Sequence, residues 1–162
     1  MSWATFTAEA PGIAEIFRRR HAAAHNLCLL ATLRADGSPR ISPMEPRVFE
    51  DDLWLVGMPG TAKFRDLDRD PRFALHTATV DPNVGDGDAK IWGQVEHVDD
   101  EAIQQRFAEA LFDEIGLDLR GQRFDQFLRA DIHGAAAVTL TAGHLDITSW
   151  RRGQDEVITR KH

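Results

Sequence analysis

Tyrosine is absent from the 162-residue chain, so no phenol can serve as acid, base or stacking partner. Cysteine is nearly absent. The single Cys28 excludes an internal disulfide and any multi-cysteine metal centre. It stands in the apolar run "LCLLATL" and reads as a buried, inert thiol. Positive charge is outnumbered: 19 lysines and arginines face 26 aspartates and glutamates, a formal net charge of −7. No global basic field draws nucleic acid to such a chain, although a local anion site is compatible with it. No signal peptide opens the chain, and no apolar run approaches the roughly 20 residues of a membrane span. A soluble, cytoplasmic protein is expected, with no nucleic-acid or membrane partner.

Familiar catalytic signatures are missing too. There is no GxSxG elbow, and Ser2, Ser38, Ser42 and Ser149 have no signalled base. The P-loop and the Rossmann glycine fingerprint do not occur. His21 and His25 stand at a chelating spacing without a third ligand, so they read as packing histidines. The loop "DPNVGDGD" departs from the calcium template, with Gly85 at a ligand position and Asp86 at the glycine position. Glu45 and Asp52 are a candidate acid and base that read more simply as turn or solvent carboxylates.

What the chain does contain is a succession of short strands. A helix is predicted over 11–25, started by Pro11, with Ile13, Ile16 and Phe17 on one face. A buried strand over 27–33 turns at Asp36-Gly37 into a returning stretch over 40–49. Further strands are predicted over 53–58, 72–80 and 90–98, the last with a bulge or close approach at Gly93. Between the first two of these, Thr61 caps a short helix that Pro71 ends. Asp99 or Asp100 caps a longer helix that Gly116 stops, with Ile103, Phe107, Ala110 and Leu111 as its apolar stripe. Phe124, Phe127 and Leu128 suggest one more short helix, and "GAAAVTL" and "LDITSW" are closing strands around a turn near Gly143. This pattern predicts one mostly β (α+β) domain over 1–162, a small barrel of antiparallel strands with helices packed outside.

Two stretches stand out. "PRISPMEPRVF" has strand character, yet Pro43 and Pro46 each delete a ladder donor, which places it at an edge or an interruption. "GTAKFRDL" offers the Thr61 hydroxyl, the free N–H groups of a helix start and the Lys63 charge, together a phosphate seat.

The pieces "LATLRADGSPRISPM", "LWLVGMPGTAKFRDLDRDPRFAL" and "WGQVEHV", in that order over roughly residues 27–98, resemble the pyridoxamine 5′-phosphate oxidase-like superfamily of FMN-binding split barrels. That superfamily includes flavin and deazaflavin oxidoreductases. The resemblance implies a split β-barrel and a homodimer with two cofactors at the subunit interface, for which Trp54 and its neighbours offer apolar surface. It implies that the 42–47 stretch, with Ser42, Pro43 and Met44, flanks the cofactor ring, with Met58 as further apolar packing. Ser42 takes the place of a phosphate-contacting arginine of strict pyridoxamine phosphate oxidases, and Arg47 that of a later basic residue. Thr61 and Lys63 match the residues that hold the cofactor phosphate. Lys90 is a further contact by alternation, and Trp150 falls where family members close the flavin pocket. The lost arginine at Ser42 argues against pyridoxine phosphate oxidation itself. The implied function is an FMN-dependent oxidoreductase moving hydride to or from a small organic substrate, with no catalytic side chain and no metal nominated. The alternatives are a deazaflavin (coenzyme F-420)-dependent reductase and a non-catalytic flavin or haem carrier.

Overall fold

The computed structural model describes residues 1–79, 81, 84–141 and 143–162. Two helices open the chain, α1 (Trp3–Glu9) and α2 (Pro11–Ala23). Ser2 caps α1 by accepting the Thr5 N–H at 3.1 Å, and Pro11 occupies the first turn of α2, where its missing N–H costs nothing. Strands β1 (Cys28–Leu33) and β2 (Pro39–Met44) form the expected hairpin through the Asp36-Gly37 turn, with Gly37 at φ 82°. Then follow β3 (Arg47–Phe49), β4 (Asp52–Val56), α3 (Ala62–Arg69), β5 (Arg72–Thr77), β6 (Asp88–His97) and α4 (Glu101–Ile115). The chain closes with β7 (Phe127–Thr141), β8 (His144–Arg151) and β9 (Val157–Lys161). This is an antiparallel, β-rich α+β fold with four helices among the described residues, consistent with a split barrel.

The strands pair in the order β2-β1-β5-β6-β7-β4-β3, and β8 and β9 extend from β7. The stretch over 39–49 is therefore one run of chain that changes partner. Its first half pairs with β1 and its second half with β4, with Glu45 and Pro46 between. Pro46 lies in this corner, where the chain leaves one neighbour for another, and Pro43 stands opposite Leu29 on β2, an end strand of the pairing path that tolerates proline.

Alternation sorts the side chains. Cys28 and Leu30 on β1, Leu53 and Leu55 on β4, Leu75 on β5 and Ile91 on β6 point into one main core. Trp3, Phe6, Ile13 and Phe17 join it, so α1 and α2 pack against the strands through this core. The helix predicted to pack outside does so at α4. Asp100 caps it, accepting from Ala102 N at 2.9 Å, and Gly116 ends it at φ 72°. Its Phe107, only 4% exposed, meets Trp54 and Phe127 in a second cluster, flanked by Ile103 and Leu111. Trp54 is thus 2% exposed within the protomer, with its indole N–H donated to the Phe49 carbonyl at 2.9 Å, and does not offer interface surface.

The short helix expected around Phe124, Phe127 and Leu128 is absent. Phe127 and Leu128 begin the 15-residue β7, because β4 and β6 supply ladder partners on both sides. Gly93 sits at a register shift beside Trp92, as its position in the strand predicts. The loop weighed for calcium lies partly outside the described residues. Among those described, no group of three or more His, Cys, Asp or Glu could hold a metal, and no helix is long and apolar enough to cross a membrane.

Candidate functional site

Thr61 stands at the N-cap of α3 with extended backbone, φ −73° and ψ 153°. Its hydroxyl makes no capping bond. The Oγ1 atom is buried and meets no hydrogen-bond partner among the described residues. A buried hydroxyl without a partner is costly and unusual. The first-turn amides of the same helix have no intrahelical carbonyl to receive them. Two residues on, Lys63 reaches across to β2, and its Nζ donates to the Pro43 carbonyl at 2.8 Å. Burial pulls the Lys63 ammonium below the ordinary lysine range, and Glu45 partly restores it. The seat therefore joins an unused hydroxyl, free amides and a half-buried cation at the proline corner.

The other side of the corner is held differently. His21 Nε2 lies 2.9 Å from the Pro46 carbonyl and must donate to it. Burial keeps the imidazole pKa low, and its ring stacks on Phe17. Both proline carbonyls are thus taken by side chains from helices. Arg47 turns away from Lys63 and pairs with Glu114 of α4 at 2.6 Å. It lines a cavity of about 430 Å³ with Trp3, Arg18, His21 and Asn26.

The remaining candidates scatter. Ser42 is half-buried beside Pro43, and Met44 is buried in the main core at 4% exposure. Met58 is 76% exposed in the approach to α3. Trp150 is packed against Phe6 in the interior, and its indole N–H has no partner among the described residues. Lys90 is exposed on β6. Register places it in one cross-strand row with Pro43, Leu29 and His76. Three strand spacings separate Lys90 from Pro43, roughly 14 Å along the sheet. The structure therefore joins Pro43 to Lys63, two residues from Thr61, and puts Lys90 on the same face as Pro43, while Ser42 alternates to the other face of β2. It separates Arg47 and Trp150 from them.

Sequence reasoning misses a second group at the same helix. Ala62, Arg65, Asp66 and Arg69 face the β1–β2 hairpin, where Arg34, Ala35, Asp36 and Arg40 complete a cavity of about 380 Å³. The signal for it is the spacing 62, 65, 66, 69, which is one helical face.

The pyridoxamine 5′-phosphate oxidase family matches residues 16–143. No curated protein matches the chain. Among solved structures, PhzG from Burkholderia lata 383, in complex with tetrahydrophenazine-1-carboxylic acid, is 17% identical over 95% of this chain and 93% of its own, with a TM-score of 0.61. A pyridoxamine 5′-phosphate oxidase-related, FMN-binding protein from Nostoc punctiforme is 15% identical over 94% and 95%, with a TM-score of 0.62. ChuZ from Campylobacter jejuni is 11% identical over 84% of this chain and 58% of its own, with a TM-score of 0.64. At these identities the structural likeness concerns the fold, while the family match spans most of the sequence. The chain belongs to the pyridoxamine 5′-phosphate oxidase family.

Proposed function

We propose that this protein is a homodimeric oxidoreductase that holds FMN through its phosphate at the N-terminus of α3 and acts on a small organic substrate. The observation that carries this reading is the buried Thr61 hydroxyl without a partner, set beside the Lys63 ammonium. Phosphate oxygens would accept from the hydroxyl and the helix amides, which lack partners, and from the lysine in exchange for its Pro43 carbonyl. The residues present therefore fit the group. FMN, when bound, supplies hydride transfer at its N5, and the protein supplies position and electrostatics.

Lys63 would exchange its Pro43 carbonyl for a phosphate oxygen, and Thr61 would donate its hydroxyl. Ser42, Pro43 and the corner that follows would border the ring. Lys90, in the same cross-strand row, would meet a ligand lying over that sheet face. The row also supports assembly. Leu29 is 43% exposed and Ile41 is 71% exposed on a face that no helix of the protomer covers at those positions. A second copy of the chain is the partner proposed for it. The FMN-binding relative from Nostoc punctiforme, as described, supports the choice of cofactor.

Lys63→Ala tests the seat. Losing a charge-assisted hydrogen bond costs about 1.5–3 kcal/mol, on the order of a ten- to hundredfold loss of FMN affinity. Riboflavin lacks the phosphate, so its affinity should change far less. Equal weakening of both ligands would remove Lys63 from the phosphate and this reading with it.

A further inference from the structure

The cavity between the β1–β2 hairpin and α3 has a charge opposite to that of the whole chain. Arg34, Arg40, Arg65 and Arg69 line it against Asp36 and Asp66, a local surplus of two positive charges on a protein whose net charge is −7. Its volume of about 380 Å³ lies within the range of small-ligand sites.

The arginines are held in place from beneath. Asp66 is 3% exposed and accepts from Arg40 Nε at 2.6 Å, Thr32 Oγ1 at 2.9 Å and Arg69 Nη2 at 3.2 Å. Arg69 also donates to the Leu33 carbonyl, and Arg65 to the Gly60 carbonyl. Each of these bonds uses part of a guanidinium that has five N–H donors. Arg40 is anchored through Nε alone, which leaves its terminal nitrogens for another acceptor. Arg34 is exposed, and among the described residues its guanidinium has no bonded carboxylate. It acts on Asp36 only through its field. Asp36 itself is occupied by Ser38, whose N–H and hydroxyl it accepts at 2.9 and 2.6 Å. A buried carboxylate that orients two arginines, beside two more whose donors are mostly unused, is a preorganised receptor for oxygen anions.

We propose that this cavity is a second anion site, which takes a ligand carrying at least two phosphoryl groups. It adjoins the Thr61–Lys63 seat through Ala62 but does not rest on the flavin reading, because its own arginines define it. One phosphate satisfies one or two forks. Four guanidiniums around one cavity match a chain of phosphoryl groups, either free or extending from a cofactor seated next door.

The test uses inorganic tripolyphosphate, with orthophosphate as control, titrated into the full chain by calorimetry at low salt. Tripolyphosphate should bind more tightly than orthophosphate. Arg34→Ala combined with Arg65→Ala should weaken it by roughly tenfold per lost charge-assisted contact, while Arg34→Ala alone leaves FMN affinity unchanged. Arg34→Ala alone cannot disturb folding through a lost partner, so it is read beside the double variant. Repeating the titration with FMN present, and comparing FMN with FAD, separates the sources. A free polyanion still binds the FMN-saturated protein. A cofactor extension gives FAD an advantage that the double variant abolishes. Either result supports the site. Tripolyphosphate binding that matches orthophosphate, or that ignores both arginine substitutions, overturns it. The Lys63→Ala comparison of FMN with riboflavin is unaffected by that failure.

Discussion

A Cβ built on Gly93 collides with the Asp131 carbonyl oxygen of the neighbouring strand, because β6 shifts register there and brings the two backbones together. Backbone cannot yield as a flexible side chain can. Gly93→Ala should therefore cost about 3 kcal/mol or more, read as a drop in the urea midpoint. Gly116→Ala is the comparison. It faces open space and suffers only from φ 72°, so about 1 kcal/mol is expected. Asp66 gives a pH dependence. Burial raises its pKa, but hydrogen bonds from Arg40, Thr32 and Arg69 outweigh that and hold it below the ordinary 3.8. A carboxylate depressed in the folded state contributes stability that is present above its unfolded pKa. That contribution is lost as pH falls through the folded value. Acid titration of stability should show this loss below about pH 4. Asp66→Asn should remove that part of the slope and cost about 3 kcal/mol at pH 7, since it leaves Arg40 and Arg69 without their buried partner. At this scale the helix start at Thr61 and the close approach at Gly93 were legible, because each stands in a local pattern. Asp66 was not, because its partners Thr32 and Arg40 are 34 and 26 residues away in sequence.

Phe107 tests the element scale. It packs edge-on against Phe49, Phe124 and Phe127, with ring centroids 5.6, 6.0 and 5.2 Å apart. Phe107→Ala should destabilise the protein by about 3–5 kcal/mol and affect ligand binding only through that loss. Helix α4 was readable from its stripe, its aspartate cap and its terminal glycine. The strand that replaces the expected helix at Phe127 was not, because Phe124, Phe127 and Leu128 satisfy helical spacing while the ladders of β4 and β6 decide the matter from a distance. Strand β9 was hidden for a related reason. All five of its residues are exposed, so no burial pattern marks it. Helix α1 is seven residues long and owes its existence to the burial of Trp3 and Phe6 rather than to propensity.

For the whole molecule, the proposed dimer should sediment as two chains at micromolar concentration. Leu29→Lys with Ile41→Lys should shift it to one chain with little change in protomer melting, because both side chains are exposed in the protomer. A species that is monomeric before any substitution would remove the shared site. Pairing order was beyond the sequence, since it depends on which edges meet after folding. The proline corner was visible as a broken rule, and its cause became clear only from that order. It has one more consequence. Strands β2 and β3 end the pairing path at opposite sides, yet they are neighbours in the chain. The circuit of strands is closed at that point by covalent bonds through Glu45 and Pro46, while every other junction on it is a ladder of hydrogen bonds. A nick between those two residues would leave all interstrand pairings intact and still turn a ring into a ribbon.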